Sequence, residues 1–250
     1  MGGHSHWAGI KHKKALVDAK RGKVWTRIVR EITIAAKIGG GSPEGNPRLR
    51  KAVDDARAAN MPAENVKRAI QKGTGELPGS TFEELSYEGY APGGVAILAD
   101  GTTDNRNRST NEVRKIFENN GGSMGQSGCV AFLFEKKGLI AVPRSKTSED
   151  DLMSLVLDLG AEDMKSDDSE VFEVVTPPQD FQAVLDGLKA KGLTPESAEI
   201  TMLAKTRVPV GADLAPKVLA LMEGLDAHDD VSHVYANFDI PDSVLDALAK

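Results

Sequence analysis

The sequence predicts an α+β protein: an N-terminal helical bundle followed by two ferredoxin-like α/β domains, the third inserted in the second. Three observations lead there. Apolar residues recur at helical spacing as far as Gly73, and beyond it strand and helix patterns alternate. Charge divides at the same place: residues 1–73 hold 16 of the 31 Lys and Arg but only 6 of the 37 Asp and Glu, so this stretch is formally +10 and the remainder −16. The elements of residues 137–204 fall in the order β-α-β-β-α-β, the split β-α-β arrangement of a ferredoxin-like sandwich.

The expected domains are a basic helical domain with a flexible arm over residues 1–80, a discontinuous α/β domain over 81–136 and 205–240, an inserted ferredoxin-like domain over 137–204, and a tail over 241–250. In the first, KVWTRIVREITIAAKI (23–38) places Val24, Ile28, Ile32 and Ala35 on one helix face. Lys23, Arg27, Arg30 and Lys37 fall on another stripe, which Ile34 interrupts. Gly39, Gly40 and Gly41 end this helix, and Pro47 opens the next at its first turn. That second helix turns Leu49, Val53 and Ala56 inward and Arg48, Arg50, Lys51 and Arg57 outward. Asn60, Met61 and Pro62 punctuate the chain, and a third helix with Val66 and Ile70 stops at Gly73.

After a linker at 74–81, GVAILAD and CVAFLFE read as strands. Between them Ser109 and Glu112 form a candidate capping box for a helix carrying Val113, Ile116 and Phe117. The inserted domain then reads as a strand at GLIAVP, a helix capped at Ser148, a strand at EVFEVVT, a helix starting at Pro178 and a strand at AEITMLA. A strand at KTRVPV, a helix with Leu214, Val218, Leu221, Met222 and Leu225, and a strand at VSHVYANF complete the discontinuous domain.

Composition narrows the function classes. No stretch approaches the roughly 18 apolar residues of a membrane span, and the N-terminus lacks the apolar core of a secretory signal, so the expectation is a cytoplasmic protein with no membrane partner. The single cysteine, Cys129, cannot form an internal disulfide and reads as a small apolar residue. Without a Cys/His array no metal is expected, and no cofactor. A basic module on an acidic body is the footprint of a protein that docks one end onto a polyanion, because phosphate neutralisation releases counterions; a merely solvated basic face is the alternative.

Three segments are denser in polar side chains than folding requires. The arm, GGHSHWAGIKHKK, mixes His4, His6 and His12 with Trp7, Lys11, Lys13 and Lys14, a composition suited to phosphate contact and base stacking; a disordered terminus is the other reading. Lys20, Arg21, Lys23, Arg27, Arg30, Arg48, Arg50 and Lys51 extend the candidate nucleic-acid surface. In GTTDNRNRST, Asp104, Asn105, Arg106, Asn107 and Arg108 lie at a strand-to-helix junction, where helix N–H groups and paired guanidiniums grip anions. Equally, Asp104 and Asn105 cap the helix while the arginines close a domain interface. In YEGYAPGG, Tyr87, Glu88 and Tyr90 precede a turn whose glycines turn geometry explains; it does not explain Tyr-Glu-Gly-Tyr, and Tyr87 and Glu88 join the candidate contacts to a partner or anion.

GHSHWAGIKHKKALVDAKRGKVWTRIVREITIAAKIGGGSPEGNPRLRKAV, NMPAENVKRAIQKG, YEGYAPGGVAIL, TDNRNRS and the GGS/GCVAFLF stretch closely resemble the YebC/PmpR family. That family is regarded as one of transcriptional regulators and is related to the mitochondrial translational activator of cytochrome c oxidase. The likeness spans nearly the whole chain and implies three domains, one helical and two α/β. Ala91 and Cys129 depart from the glycine and serine common at those places in the family.

The resemblance implies either promoter binding or action on the ribosome. The helices joined by GGGSPEGNP are too far apart for a helix-turn-helix, and no recognition-helix signal stands out there. The His/Trp/Lys arm and a multi-domain, monomeric plan favour ribosomal or messenger RNA over duplex DNA. An enzyme is the third class, but no Ser-His-Asp order, P-loop or dinucleotide fingerprint is present. HDDVSH reads as a polar turn into an edge strand.

Overall fold

The computed structural model describes residues 19–79, 81–166, 170–241 and 244. Three helices open it: α1 (Ala19–Gly39), α2 (Pro47–Ala58) and α3 (Ala63–Thr74). Asn46 explains how the first two join. Its side chain accepts from the Leu49 amide at 3.1 Å as the N-cap of α2, while its amide nitrogen donates to the carbonyls of Ala35 at 2.8 Å and Gly40 at 2.9 Å, tying the end of α1 to the start of α2. Ile32, Ala35, Ala36, Leu49, Ala52, Ala56 and Ala69 form the bundle core. Ile34 is buried too, which accounts for the break in the basic stripe. Val24, expected inward, is exposed; Trp25 takes that place and donates its indole N–H to Ala59 O at 3.0 Å.

The α/β part begins with β1 (Glu83–Ala91) and β2 (Val95–Thr103), joined by a turn in which Gly93 has φ 81°. Then come α4 (Arg106–Asn119), β3 (Ser123–Met124), β4 (Phe134–Pro143), α5 (Glu149–Asp158), β5 (Asp163–Lys165), β6 (Val171–Thr176), α6 (Phe181–Ala190) and β7 (Ser197–Ala204). The chain continues through β8 (Val208–Pro209), α7 (Ala215–Ala227), β9 (Val231–Ala236) and β10 (Phe238–Asp239). One antiparallel sheet has the order β3-β1-β2-β9, a second β5-β6-β4-β7, and β8 and β10 pair in parallel. The second sheet has the ferredoxin-like order, with Ile140, Val142, Phe172 and Val174 packed against Leu152, Val156, Val184 and Leu188 of α5 and α6.

By contact density the described chain forms two compact units, residues 19–130 with 213–236, and residues 131–212 with 237 onward. In the first, β9 joins β2 and brings with it α7, whose Val218, Leu221 and Leu225 are fully buried.

Several local expectations change. CVAFLF is not a strand: Ala131–Leu133 form one 3-10 turn, the strand starts at Phe134, and Phe132 stays 63% exposed. The cause is Glu88, whose carboxylate accepts from the amides of Gly128 at 2.6 Å and Val130 at 2.7 Å and so takes up the groups a ladder would need. The cap of α4 is Asn105, which accepts from the Arg108 amide at 3.1 Å, not Ser109 with Glu112; the Ser109 hydroxyl is drawn inward to Asp230. Helix α6 starts at Phe181 because residues 177–180 are spent in a turn closed by Asp180 N to Pro177 O. KTRVPV contributes only Val208 and Pro209 to a strand.

Candidate nucleic-acid interface and its charge clamp

Three of the four cations on the basic stripe of α1 end in acceptors of their own chain. Lys23 Nζ stands 2.6 Å from Asp226 O, and Arg27 Nη2 is 2.5 Å from the same carbonyl and 3.5 Å from the Asp226 carboxylate. These acceptors sit in the last turn of α7, where unpaired carbonyls and the helix dipole favour cations. Arg30 reaches furthest. Its Nη1 donates to Asp229 O at 2.6 Å, lies 3.3 Å from Thr102 O, and forms a 2.7 Å ion pair with Asp230 Oδ1. The guanidinium also lies over Phe82, 5.6 Å from the ring centre.

Asp230 is 2% exposed. Its other oxygen accepts from Ser109 Oγ at 2.5 Å, Arg108 Nη2 at 2.7 Å and Thr103 Oγ1 at 3.0 Å. Burial alone pushes this carboxyl up; the hydrogen bonds from Ser109, Arg108 and Thr103 and the charge of Arg30 outweigh it and hold the group at about 2. The backbone is shaped to allow the contact. The β2–β9 register shifts between Asp100 and Gly101, and a Cβ on Gly101 would lie 1.9 Å from Asp230 O. Asp230 thus joins a helix of the bundle to β2 and α4 of the sheet.

The remaining candidates separate into groups. Arg48 forks onto Glu31 at 2.6 and 2.9 Å and reaches Glu84 at 2.6 Å, and these carboxylates, Glu31 foremost, raise its pKa. Arg50 holds the carbonyls of Pro43 and Glu44, and Lys51 pairs with Asp55. Arg106 pairs with Glu83 at 2.9 Å; Arg108 bridges Asp104 and Asp230. Tyr87 is buried against Thr110, and burial raises its pKa. Asn107 is exposed at the start of α4. His4, His6, Trp7, Lys11, Lys13 and Lys14 lie outside the described residues, as do the side chains of Lys20 and Arg21.

Sequence reasoning missed Asp226 and Asp230, flagging only a polar HDDVSH turn; nothing local announces partners two hundred residues upstream. It also passed over Lys67 and Lys72, which are exposed on α3. Helix α3 follows α2 after the four residues 59–62, where Asn60 adopts φ 53°, a connection of helix-turn-helix length that GGGSPEGNP is not. Among the described residues no group of three or more His, Cys, Asp or Glu is placed to hold a metal, and no helix is long and apolar enough to cross a membrane.

Comparison with known proteins matches this architecture end to end. A family model for the TACO1/YebC protein N-terminal domain covers residues 5–76, and one for the TACO1/YebC second and third domain covers residues 82–238. The chain belongs to the TACO1/YebC family. A TACO1/YebC relative from Elusimicrobium minutum, named a probable transcriptional regulatory protein, is 55% identical over 251 residues, covering 100% of both chains. Another of the same description, from Chlorobaculum tepidum, is 51% identical over 250 residues and again covers 100% of both. Among solved structures, a conserved hypothetical protein from Aquifex aeolicus is 50% identical with a TM-score of 0.82, over 94% of this chain and 97% of that one. The relatives carry the name of regulators, not of enzymes.

Proposed function

We propose that this TACO1/YebC protein is a non-enzymatic regulator of gene expression that binds nucleic acid through its helical end, with structured RNA on the ribosome as its target. One observation carries the reading: the +10 charge of residues 1–73 is segregated from a −16 remainder. Such a dipolar chain is drawn to phosphate by one end while its acidic body stays clear, and counterion release supplies the affinity. The arm favours RNA, since Trp7 among His4, His6, Lys11, Lys13 and Lys14 suits unpaired bases with exposed π faces. A second reading, duplex DNA, is favoured by the four-residue connection between α2 and α3, and it agrees with the name its relatives carry.

Co-sedimentation with ribosomes beside binding to duplex DNA, both across a salt series, separates the two. The expectation is ribosome binding that persists at salt where DNA binding is lost. Trp7→Ala is expected to cost about 1–3 kcal/mol on single-stranded RNA and much less on duplex. Tighter binding to DNA at every salt, with no ribosome co-sedimentation, would overturn the RNA reading in favour of the second.

A further inference from the structure

The sequence marks Lys23, Arg27 and Arg30 of the α1 stripe as phosphate contacts, but the structure spends these three internally. Of the eleven Lys and Arg whose side chains are described between residues 19 and 79, eight are engaged by carboxylates or carbonyls of the same chain. Lys37, Lys67 and Lys72 remain, each exposed and with no carboxylate partner among the described residues.

These three lie on two helices that meet. Helices α1 and α3 come close at Gly73, where an added Cβ would stand 2.4 Å from Thr33 O and 3.2 Å from Lys37 N, so Lys37 and Lys72 flank one contact point. Lys67 lies five residues before Lys72, on the side of α3 that lines a surface pocket with Gly41, Val66, Ile70, Gln71 and Glu76. Beside Lys37, Ile38 is 67% exposed, an aliphatic side chain left in water at the end of a basic helix. Cations with no internal partner next to exposed apolar surface match a strand that offers phosphates on one side and base faces on the other.

We propose that the C-terminal turn of α1 together with α3 is the surface that receives the backbone of single-stranded or looped RNA, in place of Lys23, Arg27 and Arg30. The assignment rests on the RNA reading above. Charge complementarity decides it: a phosphate approaching Lys23, Arg27 or Arg30 has to displace acceptors 2.5–2.7 Å away, whereas Lys37, Lys67 and Lys72 have no such acceptor among the described residues.

Two triple variants of the full chain test it, each removing three positive charges. Lys37→Gln with Lys67→Gln and Lys72→Gln strips the proposed face. Arg57→Gln with Arg68→Gln and Lys137→Gln strips cations that pair with Asp54, Glu64 and Glu162. The probe is a 20-nucleotide oligouridine, followed by fluorescence anisotropy across a salt series, with a duplex DNA of equal length alongside; melting curves verify both folds. The first triple is expected to weaken oligouridine binding at least about tenfold and to flatten the salt slope by about two, at roughly 0.7 per lost phosphate contact. The second is expected to change affinity less than about twofold and leave the slope in place. Equal effects of the two triples would show that only total charge matters and would overturn the face. The same first-triple loss on duplex DNA with none on oligouridine would assign the face to DNA and overturn its RNA occupant. A wild-type chain that binds neither probe would count against the nucleic-acid reading itself, a result distinct from either.

Discussion

Arg30 and Asp230 come from opposite ends of the chain and form a 2.7 Å ion pair with Asp230 2% exposed, so one carboxylate fastens the helical bundle to the sheet that follows it. Arg108 reaches the same carboxylate from the other side at 2.7 Å. Two cations on one buried anion make a contact that is costly to break from the anion's side, because both guanidiniums lose their buried carboxylate at once.

Asp230→Ala is therefore expected to destabilise the protein by about 3–5 kcal/mol, read as a lowered urea midpoint. Asp226→Ala, which leaves the carbonyl held by Lys23 and Arg27 in place, is expected to cost less than about 1 kcal/mol. Equal losses at the two positions would contradict the hub.

Acid dependence follows from the same group. The folded pKa of Asp230, about 2, lies below its ordinary carboxylate value, so its contribution is complete above about pH 4 and fades as pH falls toward 2. The expected size is no more than about 2 kcal/mol. Urea midpoints measured from pH 6 to 2 should drop over this window in the wild type, and the Asp230→Asn variant should show a shallower drop.

Arg106 and Arg108 look alike in the sequence and separate in the structure. Arg106 makes one exposed pair with Glu83, whereas Arg108 reaches buried Asp230. Arg106→Ala is expected to leave the melting temperature unchanged within error and Arg108→Ala to lower it clearly. If neither moves stability and both abolish function in cells, the arginines serve a partner rather than the fold.

Asn46→Ala removes a helix cap and two further hydrogen bonds from a side chain 5% exposed. The expected cost is about 2–3 kcal/mol, more than a cap alone gives. Asn46→Ser, which keeps the cap and loses the tie to α1, should fall between.

How much of this was legible follows from the range of each interaction. Pro47 and Asn46 at the start of α2, Ser148 at the start of α5, and Leu152 with Val156 inside it are local signals, and the elements appear where those signals put them. Strand β1 carries no alternating pattern, because Glu83, Glu84 and Glu88 interrupt both faces; pairing with β2 and β3 and the loop held by Glu88 make it a strand. In the site, the density of polar residues at Tyr87–Glu88 and Asp104–Arg108 was visible, but their work was not. Whether Arg30 meets phosphate or Asp230 depends on a residue far along the chain, and periodicity has no reach over that distance.

The clamp also sets an order of events during synthesis. Lys23 and Arg27 lie 203 and 199 residues before their acceptor at Asp226. At about 5–20 residues per second, the bundle leaves the ribosome roughly 10–40 s before that acceptor exists. Throughout this interval the nascent chain carries Lys23, Arg27 and Arg30 without the acceptors at Asp226, Asp229 and Asp230, close to ribosomal RNA. A product cut short before α7 never gains those acceptors, so truncated chains should adhere to RNA less selectively than the finished protein, whose last seventh withdraws three cations from competition.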